Sequence, residues 1–173
     1  MTGVNICSVV LRVALGITMI AHGYNHAFGG GKLPGTARWF ESIGIRPGRV
    51  HALLATLTEL GSGFLLLLGF LTPLAAAGVV GTMLVALIAN HLKNGFFIFR
   101  PGEGYEYVLF IILTAFAVGS LGGGRISLDH AIGIGHLYGW DGLGIAAIGA
   151  VGAAGLLITC WRPAKPADTA ASS

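Results

Sequence analysis

Long apolar runs, separated by short polar segments, dominate the pattern of the chain. These runs extend over residues 6–23, 52–71, 74–92, 105–121 and 143–161. Each is close to the roughly 20 residues that an α-helix needs to cross a hydrocarbon core of about 30 Å. The pattern therefore predicts five membrane-spanning helices, with the last one near the C-terminus.

The segment between the first two runs has a different pattern. Over residues 34–43 the apolar side chains, Trp39 and Phe40 among them, alternate with Arg38 and Glu41, and a proline stands at the start. A segment this short and this charged does not span a bilayer. It predicts a short amphipathic helix that lies in the membrane interface.

Composition agrees with a lipid environment. Hydrophobic residues make up 54% of the chain, charged residues only 10%, and the mean hydropathy is +0.81. Soluble domains carry about 25% charged residues, so this chain would expose large apolar patches in water. We therefore expect an all-α membrane protein: a four-helix transmembrane bundle with an interfacial helix and a fifth C-terminal span.

Basic residues indicate the orientation of these spans. Five spans place the loops after the first and third spans on the same side as the C-terminus. That side holds most of the Lys and Arg: Lys32, Arg38, Arg46, Arg49, Lys93, Arg100, Arg162 and Lys165, against Arg125 in the loops of the other side. The positive-inside rule then places the N-terminus outside. Because these residues form no stripe, we expect no nucleic-acid partner.

The cysteines and the N-terminus exclude further classes of protein. Cys7 and Cys160 form no Cys-x-x-Cys motif, so a thiol-disulfide enzyme is not expected. No positive charge precedes the first apolar run and no small-residue cleavage pattern follows it. We expect this run to remain in the protein as a span and not to be removed as a signal peptide.

Four ionisable residues are predicted to meet near one membrane face. His22 ends the first span, Glu59 lies inside the second, His91 ends the third and Glu106 begins the fourth. Two histidines and two carboxylates can bind a metal, relay a proton or hydrogen-bond a quinone head group, and their spacing does not choose among these uses. The alternatives without a functional site are that the two histidines are ordinary residues at helix ends in the membrane interface, and that Glu106 lies in the aromatic belt.

Glu59 is the member of this set that most needs an explanation, because a carboxylate inside a span is costly unless it is protonated or paired. Arg12 enters the first span from the opposite side and is the competing candidate partner, in a buried structural ion pair. The sequence contains no HExxH, EF-hand or Ser-His-Asp pattern. We therefore assign no metal and no hydrolase.

Several short segments together resemble the DoxX family of membrane proteins. They lie at 11–16 with 21–23, 33–36 with 39–44, 57–61, 67–73, His91 with 94–97, 104–107, and 124–129. The resemblance covers about residues 6 to 129. It implies a DoxX-like four-helix domain, which we place at 1–129. The apolar run at 143–161 departs from the four-span pattern of the family, so we expect a loop and an added helix over 130–161. The Pro, Ala and Ser content of residues 162–173 predicts a disordered tail.

The resemblance also implies a location and a set of functions. Such proteins are multi-pass proteins of the bacterial plasma membrane, linked to quinone-dependent sulfur oxidation or to thiol and oxidative-stress partners. We therefore expect a subunit of a quinone-linked or thiol-linked membrane oxidoreductase, embedded in the bilayer with a protein partner or as a homo-oligomer. The alternatives are a scaffold that anchors a soluble enzyme and a proton-coupled carrier of a small solute.

Overall fold

Seven α-helices follow one another along residues 3–163, the part of the chain that the computed structural model describes. They are α1 (Gly3–Phe28), α2 (Lys32–Ser42), α3 (Gly48–Leu68), α4 (Thr72–Ala86), α5 (Glu106–Leu121), α6 (Leu128–Ala131) and α7 (Gly139–Cys160). A π-helical turn, Leu87–His91, and a 3-10 turn, Leu92–Asn94, continue α4. The described residues contain no strand, which confirms the all-α prediction.

The predicted spans all form helices. α1, α3, α7 and the continuous segment Thr72–Asn94 are long and apolar enough to cross a membrane. α5 is apolar but has 16 residues, or about 24 Å at 1.5 Å per residue. The interfacial segment forms α2, which begins two residues earlier than predicted and buries Ala37 and Phe40.

Small residues set the distance between α1 and α3. A Cβ added at Gly16 would lie 2.8 Å from the carbonyl oxygen of Gly63, so only glycine allows this approach. Gly63 lies on the face toward α1, and the buried Ser62 lies beside Gly78 of α4. Gly61 does not, because a Cβ there would meet nothing within 4 Å. Close backbone packing of this kind is how helices associate in lipid.

α4 occupies the centre of the bundle, packed against α3, α5 and α7. Its Val79 and Val80 are fully buried, together with Val108 and Val118 of α5. α7 approaches α4 through Gly149, where an added Cβ would overlap the carbonyl oxygen of Ala77. The added helix is therefore packed into the bundle on one side, while only 11% of its most apolar window is buried.

The ends of the helices form two opposite faces. The first end of the bundle holds the start of α1, the turn between α3 and α4, and residues 122–138. The second end holds α2, residues 95–105 and the end of α7, where the amide of Arg46 donates to the carbonyl of Cys160 at 2.9 Å. α1, α3, α4, α5 and α7 therefore run in alternating directions between the two ends.

Only the start of the predicted tail, residues 162 and 163, belongs to the described residues. The amide of Arg162 donates to the carbonyl of Gly44 at 2.7 Å, so the start of the predicted tail is held against the α2–α3 loop. Residues 164–173, with Lys165, lie outside the described residues. The prediction that they are disordered stays a prediction, as does the orientation of the bundle in the membrane.

Candidate functional site

A cavity of about 400 Å³ lies in the half of the bundle next to the second end. α1, α2, α3, α4, α5, α7 and the π-helical turn all contribute to its wall. Most of the lining side chains are apolar or small. The ionisable ones are His22, His26, His51, Glu59, His91 and Tyr107. The volume falls within the roughly 300–1,000 Å³ of small-molecule sites.

Glu59 faces a histidine across the α1–α3 contact. Oε2 of Glu59 lies 2.9 Å from Nδ1 of His26, and Glu59 is 2% exposed. The two atoms are at ion-pair distance, but the ring and the carboxylate are not aligned for a hydrogen bond, and neither atom has another partner among the described residues. The two polar groups of the site therefore face each other across the α1–α3 contact, within side chains that line the cavity.

Register explains why His26 and Glu59 meet. α1 and α3 run antiparallel, with Gly16 against Gly63 and Gly23 against Leu60. Continuing α1 by one turn beyond Gly23 brings His26 to the level of Glu59. The ring of His26 also packs edge-on against Phe40 of α2 at a centroid distance of 5.9 Å. The imidazole therefore lies between the carboxylate of Glu59 and the apolar ring of Phe40.

His91 forms a second, fully bonded group at the end of the π-helical turn. Its ring is 5% exposed, with Nδ1 3.0 Å from the carbonyl oxygen of Glu103 and Nε2 3.0 Å from the hydroxyl of Tyr107. A carbonyl accepts only, so the network assigns the proton to Nδ1 and leaves Nε2 to accept from Tyr107. The π-helical turn thereby joins the cavity wall to the loop before α5.

His51 supplies another polar atom on the cavity wall. The side chain lies near the start of α3 and is 8% exposed, and its Nδ1 is buried without a hydrogen-bond partner among the described residues. A buried polar atom without a partner costs about 1–3 kcal/mol, so this nitrogen lowers the stability of the fold.

The structure brings three of the four predicted residues to this cavity. His22, Glu59 and His91 line it, while Glu106 does not. Glu106 is partly exposed at the first turn of α5, and its Oε2 accepts from the amide of Ile98 at 3.3 Å. Its carboxylate therefore holds the loop before α5 and lies outside the site.

The predicted ion pair between Arg12 and Glu59 is corrected by the structure. Arg12 is 2% exposed, and it donates to the carbonyl of Leu66 at 3.0 Å and to that of Ile126 at 2.6 Å. Leu66 lies about 10 Å along α3 from Glu59, at 1.5 Å per residue. The guanidinium is therefore held at the first end of the bundle, whereas Glu59 faces His26.

Asp129 completes the group around Arg12. It interacts electrostatically with the guanidinium, and its carboxylate accepts from the amides of Leu71 and Thr72 at 2.6 and 2.9 Å. These amides belong to the start of α4, where backbone donors have no partner within the helix. The segment around Asp129 thus closes the first end of the bundle.

Sequence reasoning missed His26, His51 and Tyr107. His26 follows His22 by one helical turn, and this i, i+4 spacing was a signal that both rings lie on one face of α1. No comparable signal marked His51 or Tyr107, because their place depends on how α2 and α5 pack. Among the described residues, no group of three or more His, Cys, Asp and Glu is placed to hold a metal ion.

The chemistry available at the cavity is proton transfer and hydrogen bonding. A carboxyl and an imidazole in contact can share or pass a proton, and the apolar wall limits the water that would compete for it. A ligand that fits this wall is mostly apolar and carries a few polar atoms.

Comparison with known proteins identifies part of the chain. The model of the DoxX family matches residues 8–92, from the first turns of α1 to the turn that follows the π-helical segment. This match confirms the resemblance seen in the sequence, over a shorter range than the segments at 6 to 129. No curated protein and no solved structure matches the chain significantly.

Proposed function

We propose that this chain, a DoxX-like membrane protein through residues 8–92, binds the head group of a membrane quinone as a subunit of a quinone-linked oxidoreductase complex. One observation carries the proposal. An apolar cavity of about 400 Å³ holds the contact between His26 and Glu59, and it lies beside helices long enough to cross a bilayer.

A quinone suits this wall better than a soluble metabolite does. Its ring is apolar and flat, and its oxygens accept hydrogen bonds when oxidised and donate them when reduced. The wall offers apolar surface from Met83, Val85 and Leu156, and it includes the polar side chains of His26 and Glu59. Such a donor set serves both redox forms, since imidazole and carboxyl groups can each donate or accept according to their proton.

When bound, a quinone supplies two-electron, two-proton chemistry. The residues of this chain orient the ring and handle protons beside its oxygens. Glu59 and His26 are the groups that can take up or release a proton there, and the neighbouring His22 lies one turn earlier on α1. His91 has its ring fixed by Tyr107 and the Glu103 carbonyl, so it positions the wall and leaves proton transfer to the pair of Glu59 and His26.

Electrons come from a partner subunit in this proposal. The sequence has no Cys-x-x-Cys motif, and Cys7 and Cys160 lie at opposite ends of the bundle, near the start of α1 and at the end of α7. A dithiol centre within one copy of the chain is therefore excluded by distance.

A binding experiment tests the proposal. Trp39 lines the cavity, so a benzoquinone without a hydrocarbon tail should quench tryptophan fluorescence of the purified protein in a saturable manner. His26→Phe should raise the Kd by about two- to tenfold, because the oxygens of an oxidised quinone only accept hydrogen bonds, an imidazole N–H can donate to them, and a hydrogen bond contributes about 0.5–1.5 kcal/mol. His136→Phe is the matched control, since His136 is exposed and does not line the cavity, and its Kd should equal that of the unaltered protein.

The outcome separates the three functions. Quenching that does not saturate overturns the quinone proposal. An inert protein that co-purifies with a soluble enzyme then favours a scaffold, and a solute-dependent pH change in proteoliposomes favours a carrier.

A further inference from the structure

We propose that the cavity opens sideways into the bilayer between α3 and α7, and that the hydrocarbon tail of the bound quinone lies in this opening. The portal is defined by Leu54 and Thr58 of α3 and Gly152 and Leu156 of α7. The inference rests on the proposed function, because it takes the head group in the cavity as given.

The helix packing leaves this side of the cavity open. α3 and α7 both contribute to the wall, but within the described residues they do not pack against each other along their length. α4 lies behind them and packs on both, through Gly78 toward α3 and Gly81 toward α7. The cavity is therefore closed at the back by α4, and its front is a gap between two spans.

The four portal residues belong to the cavity wall, and two of them also belong clearly to the outer surface. Leu54 lines the cavity and is 51% exposed. Gly152 lines it too and is exposed, and a Cβ added there would meet nothing within 4 Å. Thr58 and Leu156 are partly exposed beside them. A hydrocarbon tail that leaves the cavity along these residues reaches the surface of the bundle without displacing a side chain.

The portal lies at the depth of the acyl chains. Leu54 is about 9 Å from the start of α3, and Gly152 is about 12 Å from the end of α7, at 1.5 Å per residue. A hydrocarbon core is about 30 Å thick, so both positions fall within the leaflet next to the second end. The portal meets lipid there, and an alkyl or isoprenoid tail is the occupant whose chemistry matches both sides.

Small residues on α7 keep the portal wide. Gly149, Gly152 and Ala153 present no side chain larger than a methyl group toward the cavity. Leucine or phenylalanine is the ordinary choice for a helix surface that faces lipid. The added helix, which lies outside residues 8–92, thus forms one side of the route by which a tailed ligand reaches the polar groups.

The test compares two ligands that share one head group: a benzoquinone with a decyl chain and the same benzoquinone without it. Gly152→Phe places a ring in the portal, where open space accepts it. Gly155→Phe is the matched control, since Gly155 lies about one turn further along α7, is exposed, has nothing within 4 Å of an added Cβ, and does not line the cavity. Binding is followed by tryptophan quenching in detergent.

Gly152→Phe should raise the Kd of the decyl ligand by about tenfold or more, and change the Kd of the tail-less ligand by less than about twofold. The effect is steric, because a tail that moves from lipid to an apolar portal gains little free energy. Gly155→Phe should bind both ligands as the unaltered protein does. Equal binding of both ligands by Gly152→Phe, loss of both, or the same selective loss in Gly155→Phe overturns the portal. Absence of saturable binding of the tail-less ligand to the unaltered protein overturns the proposed function instead.

Discussion

The contact between His26 and Glu59 can be measured as a coupling free energy. We choose His26→Phe, which keeps a ring against Phe40, and Glu59→Met, which keeps an unbranched side chain of similar length. Each single change removes one side of the 2.9 Å contact and leaves the other polar group buried. The double change replaces both polar groups with apolar ones.

The expected size follows from burial. Glu59 is 2% exposed and the side chain of His26 is 15% exposed, so solvent replaces little of what a single change removes. Each single change should cost about 1–3 kcal/mol, the cost of an unpaired buried polar group. The double change should cost less than the sum, with a coupling free energy of about 1–3 kcal/mol.

The assay is the free energy of unfolding of the four proteins in detergent, with monodispersity checked by size-exclusion chromatography. Arg12→Gln combined with Glu59→Met forms the control cycle. Arg12 binds the carbonyls of Leu66 and Ile126, about 10 Å along the bundle from Glu59, so these two changes should add within about 0.5 kcal/mol.

The control cycle also distinguishes the structure from the ion pair predicted by the sequence. Strong coupling between Arg12 and Glu59, with additive changes at His26 and Glu59, would refute the geometric reasoning and restore the predicted pair. Additive changes in both cycles would refute the view that Glu59 needs a partner, and would leave it as a protonated packing residue.

Three further predictions concern the first end of the bundle and the topology. Asp129→Asn should lower the free energy of unfolding by about 1.5–3 kcal/mol, because the carboxylate accepts from the amides of Leu71 and Thr72. The control Asp141→Asn, at an exposed residue, should change it by less than about 0.5 kcal/mol. Equal values for the two variants would show that the Asp129 carboxylate does not stabilise this end of the bundle. Gly69→Ala should destabilise the fold, since Gly69 has φ +62 and an added Cβ would overlap the Arg12 guanidinium. Gly61→Ala is the control, because an added Cβ there meets open space. Gly69→Ala should therefore unfold at a lower temperature than Gly61→Ala, and similar midpoints would contradict the packing described. A membrane-impermeant thiol reagent should label Cys7 and Cys160 from opposite sides of the membrane, with Cys7 reached in intact cells if the N-terminus is outside; labelling of both from one side would contradict the five-span crossing.

The sequence was sufficient for the helices because a bilayer fixes their length. An apolar run near 20 residues has one stable form in lipid, a helix whose backbone groups bond internally. The spans over 6–23 and 143–161 are therefore visible without tertiary information. The charged, Trp-containing segment at 34–43 is visible for the same reason, since it is too short and too charged to cross.

Part of the site was also visible. His22, Glu59 and His91 stand where apolar runs meet polar residues or carry an isolated charge, and each lines the cavity. Such positions stand out because an ionisable group in a span is costly and rarely accidental. Glu106 stands out in the same way, yet its carboxylate binds the amide of Ile98 instead.

The identity of each polar partner was decided by tertiary structure alone. Arg12 and Glu59 are candidate partners as long as the axial register of α1 and α3 is free. Contact of Gly16 with Gly63 fixes that register, and it moves Arg12 toward Leu66 and brings His26 to Glu59.

The cavity and its portal also required the packed structure. Hydropathy gives each helix a length but no rotation about its axis, because lipid and a neighbouring helix are nearly equal apolar surroundings. Rotation is set by where small residues allow backbones to approach, as Gly149 does at Ala77. The same contact holds α7 against α4 and away from α3, and the space between them is a property of the assembled bundle that no single span encodes.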